Sequence, residues 1–238
     1  MAALSHQQPE RVPFAWNFGP TPEMTKILTK SFAEQGVNWH QFKSAVDDIL
    51  VVSPRYIGPA LIPHTDIWGI KRTAQSYGAG AYDEISNYPL QGIEDVRLIK
   101  DYPWPSPDYY ALHSFKDEIL VADPHHEKAR KLAINVCGNP FEIYCWMTGL
   151  EQALINLLLA PDIIHTALER ITDYFATRLQ RTLELVGDEL DILYFADDLG
   201  GQNNLLVSLK TYRRMIKPYH QRLFTIAHKL APHTAVMF

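Results

Sequence analysis

Asp191-Ile192-Leu193-Tyr194-Phe195-Ala196-Asp197-Asp198-Leu199-Gly200-Gly201-Gln202 is the stretch around which the rest of the chain is organised. Its apolar, β-prone run is closed by two acids and two glycines, which reads as a buried parallel strand emptying into a loop. In α/β proteins ligands and chemistry gather where parallel strands end, so Asp197 and Asp198 are the first candidates for a catalytic role. Asp-Asp-x-Gly-Gly is also good turn chemistry, and aspartate is a common helix cap. The alternative is therefore that these acids only shape the loop.

Outward from this stretch the signals alternate. Before it, Pro161 opens a helix in which Ile164, Leu168, Ile171, Phe175, Leu179, Leu183 and Val186 recur at three and four, leaving Glu169, Arg170, Arg178 and Arg181 for water. After it, Ser208 caps a helix running to about Leu230, with a kink expected at Pro218, and His233 to Phe238 begins another strand. Further upstream, a charged helix around Pro124 to Leu132 leads to a strand Ala133–Cys137. Gly138-Asn139-Pro140 turns the chain there, and Phe141 to Leu159 reads as one buried helix. At the start, Arg11 to Gly19 reads as a first strand, Pro22 opens a helix stopped by Gly36, and Ile49–Val52 is a second strand ending at Ser53-Pro54. Residues 55 to 110 are rich in proline, glycine, Trp and Tyr and read as an ordered insertion of hairpins and loops, of the kind that lies over a site or a partner.

Five strands of parallel type, alternating with helices, predict an eight-fold β/α barrel of TIM type with about five of its eight units present in residues 1–238 as a single domain. Because such barrels take about 250 residues or more, the expectation is a piece of a longer chain. An open, doubly wound sheet is the structural alternative.

A net charge of −5 at 47% hydrophobic and 21% charged residues describes a globular domain and argues against nucleic acid or acidic lipid as partner. Without an apolar run of roughly 20 residues or a charged-then-apolar N-terminus, the expected location is the cytoplasm. Cys137 and Cys145 lack Cys-x-x-Cys spacing and sit among apolar neighbours, which predicts reduced, buried thiols rather than metal ligands.

With the pieces in order, the sequence resembles the uroporphyrinogen decarboxylase family, which also includes zinc-dependent methyltransferases that exchange methyl groups with corrinoid proteins. The resemblance is carried by Arg11-Val-Pro, by Cys137-Gly-Asn-Pro-Phe-Glu142, by Phe195-Ala-Asp-Asp-Leu-Gly-Gly-Gln202, and by Lys217-Pro-Tyr219 with His228. It implies a β/α barrel with its site at the strand ends and a tetrapyrrole, porphyrinogen or corrinoid, as ligand or neighbour. Decarboxylating a carboxylate-rich tetrapyrrole calls for arginines on the acid side chains and one carboxylate facing the pyrrole N–H groups. At the places where that branch has two arginines this chain has Phe18 and Pro22. Pro54, or a displaced Asp66, stands for its aspartate, Trp146 for its tyrosine and Asp198 for its serine. Arg11 and Arg55 are the arginines left near strand ends. The methyltransferase branch implies zinc held by a His-x-Cys that would follow Phe238, so no metal ligands are expected within these residues. A homodimer and a corrinoid protein are the partners implied, and a non-catalytic piece that needs a partner chain is the third reading.

The resulting candidates are Asp197, Asp198, Asp66 and His64 for catalysis, with Asn17, Arg55, Asn139, Trp146 and Gln202 for substrate binding. His64 and Asp66 are close enough in Pro63-His-Thr-Asp to share a proton or a ligand. His125, His126 and His220 read as exposed helix or cap residues. Lys71-Arg72 reads as a solvated pair that could meet a substrate acid.

Overall fold

The computed structural model describes residues 2–16, 19–78 and 80–238. In chain order the elements are α1 (Pro22–Glu34), α2 (Trp39–Val46), β1 (Ile49–Val52), β2 (Lys71–Ser76), β3 (Ala81–Asn87), α3 (Val96–Lys100), α4 (Phe115–Ala122), β4 (Ala129–Leu132), α5 (Ile134–Cys137) and α6 (Pro140–Thr148). There follow α7 (Leu150–Leu159), α8 (Pro161–Val186), β5 (Ile192–Tyr194), α9 (Leu209–Met215), α10 (Lys217–Leu230) and β6 (Ala235–Met237). Strands β1, β4, β5 and β6 lie side by side in that order and all pair in parallel. With helices in each crossover this is an α/β fold. The sheet is open among the described residues, with β1 and β6 at its edges and four parallel strands where five were expected, and they form no closed barrel. No helix among the described residues is long and apolar enough to cross a membrane.

The core centres on α8. Ile164, Leu168, Ile171, Phe175, Leu179, Leu183 and Val186 are buried, as their spacing predicts, against α3, α6 and α10. Each such side chain contributes about 1.5–3 kcal/mol relative to an exposed one. Position 178 departs from the reading. Arg178 was expected in water but is only 2% exposed.

Four further expectations are corrected. No strand forms over the described part of Arg11 to Gly19. Phe14 is instead tied to Asp48, its N–H donating to the carboxylate at 2.8 Å and its carbonyl accepting from the Asp48 N–H at 2.9 Å, while Arg11 grips the same carboxylate. The helix and strand expected at 124–132 and 133–137 are replaced by β4 and the one-turn α5. Arg130 and Lys131 look like a wet helical face, yet both are buried within β4. Arg130 donates to Glu189 at 2.8 Å, and the Lys131 ammonium lies 4.7 Å from the Tyr194 ring centre, so the charges are paired rather than solvated. The single helix expected over 141–159 is broken into α6 and α7 at Gly149, whose φ of +92° suits only a residue without Cβ. Finally, α1 forms where expected, with Thr21 capping it, but none of its residues is buried and Met24 and Ile27 stay exposed.

Two other readings hold. Helices α9 and α10 meet at Ile216, just before Pro218, where the kink was expected. The 55–110 insertion contains the antiparallel β2–β3 hairpin and buries Trp68, Ile70, Leu90 and Ile99. Trp68 packs edge-on to Tyr174 of α8 at 4.8 Å between ring centres, so this segment is seated on the core.

Candidate functional site

Parallel pairing brings the ends of β1, β4 and β5 to one rim, and a cavity of about 830 Å³ opens there. Pro54, Asn139, Ala196 and Asp198 come from the loops that follow the three strands. Tyr56, Asp66, Trp68 and Tyr110 come from the insertion, and Glu142, Trp146, Tyr174 and Phe175 come from α6 and α8. The insertion thus walls the site, as its aromatic content suggests. A volume of this size is in the range of ligand pockets, and its walls are mainly apolar and rich in aromatic side chains.

The two adjacent acids at the end of β5 have different surroundings. Asp197 has no side-chain exposure and accepts from the Phe141 N–H at 3.0 Å, the Glu142 N–H at 2.6 Å and His220 Nε2 at 2.5 Å. It caps the N-terminus of α6 across more than fifty residues of chain, where the helix dipole favours negative charge. Burial pushes its carboxyl up, opposed by the bond from His220 and by the two amides. With Nε2–H given to Asp197, His220 Nδ1 is left to accept from the Tyr212 hydroxyl at 3.2 Å. Asp197 is therefore a positioning residue. Asp198 lines the cavity, and its carboxylate accepts no hydrogen bond from the described residues.

Beside Asp198 stands a carboxyl that the sequence reading quoted only within a motif. Glu142 is half-buried in the cavity wall and accepts from Asn139 Nδ2 at 2.6 Å. Burial raises its pKa, against the Asn139 bond, and the nearby charges of Asp198 and Asp197 add to the rise. A carboxyl that keeps its proton more readily than usual, next to a second carboxyl with no hydrogen-bond donor among the described residues, is an arrangement that can both give and accept protons.

The remaining candidates separate cleanly. Asn139 and Trp146 line the cavity, Asn139 by orienting Glu142 and Trp146 with the Arg72 guanidinium 5.1 Å from its ring centre. Asp66 also lines it, but its oxygens accept from the Trp68 and Ile70 N–H groups and from Arg72 at 2.7 Å, so it pins a turn. Arg72 is accordingly engaged rather than solvated. His64 is exposed with φ +62°, and its ring makes no hydrogen bond to Asp66, so the shared proton expected there does not form. Arg55 and Gln202 are exposed and do not line the cavity. Asn17 and Phe18 lie outside the described residues, and Arg11 is committed to Asp48.

Of the three histidines expected at the surface, His125 and His126 are exposed, His126 pairing with Asp191 at 2.7 Å beyond the opposite end of β5, but His220 is only 2% exposed. A short sequence separation would have flagged His220, but its partner is 23 residues away. Among the described residues, no three His, Cys, Asp or Glu side chains are grouped so as to hold a metal ion.

The model of the uroporphyrinogen decarboxylase (URO-D) family matches residues 84–238. The chain belongs to that family. The matched span holds β4, β5, β6 and α3 to α10, and with them Asn139, Glu142, Trp146, Asp197 and Asp198; the first part of the insertion, with Asp66 and Trp68, precedes it. Comparison with curated proteins and with solved structures yields no match. Within this URO-D chain, Trp146 and Asp198 both stand on the cavity wall.

Proposed function

We propose that this URO-D family chain binds a flat ring system bearing N–H groups in the aromatic cavity and acts on or beside a tetrapyrrole. The observation that carries the proposal is the Asp198 side chain, which has no hydrogen-bond donor among the described residues, standing in a cavity rich in aromatic side chains next to Glu142. Aromatic walls take the faces of a planar ligand, and a carboxylate without a protein donor suits its N–H groups. In a decarboxylase-type reaction Asp198 stabilises the protonated pyrrole that forms as the electron sink, and Glu142 supplies and recovers a proton.

Methyl transfer to or from a corrinoid is the second reading. It is favoured by a cavity lining that contains no Lys or Arg to hold acid side chains. Zinc, where bound in such enzymes, turns a thiol substrate into a thiolate nucleophile. The donors among these residues do not fit that ion, since no suitable group of three is present and both cysteines are buried with their thiols pushed up.

Titrating the purified protein with coproporphyrin and with cobinamide, followed by visible absorbance and tryptophan quenching, tests the reading. Binding is expected for at least one probe, weakened roughly tenfold or more by Asp198→Asn, the size of effect for one hydrogen bond to a charged group. No binding of either, or equal binding by the variant, would defeat it.

A further inference from the structure

Two tyrosines of the cavity wall are polarised from behind by a buried cation. Arg178 of α8 is 2% exposed and does not line the cavity, whereas Tyr110 and Tyr174 do. Its Nη1 donates to the Asn135 carbonyl and to the Tyr174 hydroxyl at 3.0 Å, and its guanidinium lies 3.6 Å from the centre of the Tyr110 ring. The direction of the hydroxyl protons follows. An arginine has only N–H groups to give, so the Tyr174 oxygen accepts and its own proton is left for another acceptor. Tyr110 takes that proton: burial raises the Tyr174 hydroxyl, the Arg178 charge lowers it, and the Tyr110 hydroxyl raises it again by its charge and by accepting from it. The proton of Tyr110 is the last of the series. No described residue accepts it, and the half-buried Tyr110 hydroxyl is not one of the enclosed atoms left without a partner, so it is open to the ligand space. Each bond in such a series strengthens the next, and a cation over the ring face makes the hydroxyl a better donor.

We propose that the Tyr110 hydroxyl is a donor that orients the bound ligand by meeting a carbonyl or enolate oxygen on its ring, with Tyr174 and Arg178 as positioning residues behind it. The proposal rests on the reading of the cavity as a ligand site and adds the class of atom that this part of the wall accepts. Asp198 and Glu142 offer oxygens to N–H groups, and Tyr110 offers a proton to an oxygen. A flat ring that carries both, as a lactam does, satisfies both kinds of wall group. Bonding of the ligand oxygen by another wall hydroxyl, that of Tyr194, is the competing case.

Matched flat probes separate these cases in the full chain. Oxindole carries an N–H and a carbonyl, and indole carries the N–H alone. Both are titrated calorimetrically against wild type, against Tyr110→Phe, which keeps the ring on Arg178, and against Tyr174→Phe, which breaks the series. Wild type is expected to bind oxindole roughly tenfold tighter than indole, and Y110F to bind the two alike with its affinity for indole unchanged. Y174F is expected to keep only part of the preference, roughly threefold, since Tyr110 retains its proton without the polarising bond. The ratio of the two affinities is the readout, because a variant that merely loosens the fold weakens both probes together. A preference for oxindole that survives in Y110F assigns the oxygen to another donor and overturns the proposal. Equal binding of the two probes by wild type overturns it as well and leaves the cavity reading standing. Failure of both probes to bind wild type removes cavity and donor together. Should Y110F not fold, Y174F carries the test, and the full wild-type preference there overturns the proposal.

Discussion

His220 Nε2 and Asp197 Oδ2 meet at 2.5 Å with both side chains shielded from solvent, and the same carboxylate caps α6 through the Phe141 and Glu142 amides. One acid thereby fastens the end of β5 to α6 and α10. Leaving a buried donor without its acceptor costs about 1–3 kcal/mol, and three donors meet this carboxylate. Asp197→Asn is expected to lose stability on that scale. Asp198→Asn, at a side chain with no hydrogen-bond partner among the described residues, is expected to stay within about 0.5 kcal/mol of wild type. Urea unfolding of the two variants checks this, and similar small losses for both would show that Asp197 is not the pin.

Glu142 makes stability depend on pH in a defined direction. Its folded pKa is raised, chiefly by burial, so between the unfolded value of about 4.3 and the raised folded value the native state holds the extra proton. Its contribution is thus fully unfavourable only above the folded pKa and vanishes below the unfolded one. Glu142→Gln should melt above wild type at neutral pH and together with it near pH of about 4, with about 2–4 °C of difference for each kcal/mol relieved. A constant offset between the two across that range would show that the carboxyl is not responsible.

The acidic doublet, strands β1, β5 and β6 and the long α8 were readable because each rests on a local pattern of length or period. What was not readable depended on partners distant in sequence. Which of Asp197 and Asp198 faces the cavity turns on one residue of register, and His220 finds its acid only after α10 folds back. Arg130 and Lys131 disguised β4 because Arg130 meets Glu189 and Lys131 lies over the Tyr194 ring, partners from distant segments. Arg178 is more instructive. The helical spacing itself sets 178 on the stripe of Ile171, Phe175 and Thr182, all buried, and only its charge argued for water.

Gly138 is held by both backbone and space. Its φ of +123° with ψ of 152° lies where residues with a Cβ are strained. An added Cβ would stand 2.9 Å from Leu223 Cδ1 and 3.1 Å from Phe175 Cγ. Its carbonyl also accepts from the Ala196 N–H at 3.2 Å, joining the loops that follow β4 and β5. Strain and overpacking together predict a loss of at least about 2 kcal/mol for Gly138→Ala. Gly200→Ala, with nothing within 4 Å of the added carbon, serves as the neutral control. Matching melting temperatures for the two variants would show that the turn relaxes freely.

Cys145 reports on whether α6 stays docked. It is 8% exposed and Cys137 is not exposed at all. Burial raises both thiols, and for Cys145 the carboxylates of Asp197, Glu142 and Asp198 raise it further. Because the thiolate is the reactive form, iodoacetamide should modify neither cysteine rapidly in the native protein and both once urea unfolds it. Freeing the N-terminus of α6 with Asp197→Asn is expected to speed the native labelling of Cys145 more than that of Cys137, whose segment is not held by that carboxylate. Peptide mass spectrometry of a labelling time course distinguishes the two sites. Equal acceleration at both would mean that the variant opens the whole fold, and fast labelling of Cys145 in the wild type would mean that the cavity wall formed by α6 is not closed in solution.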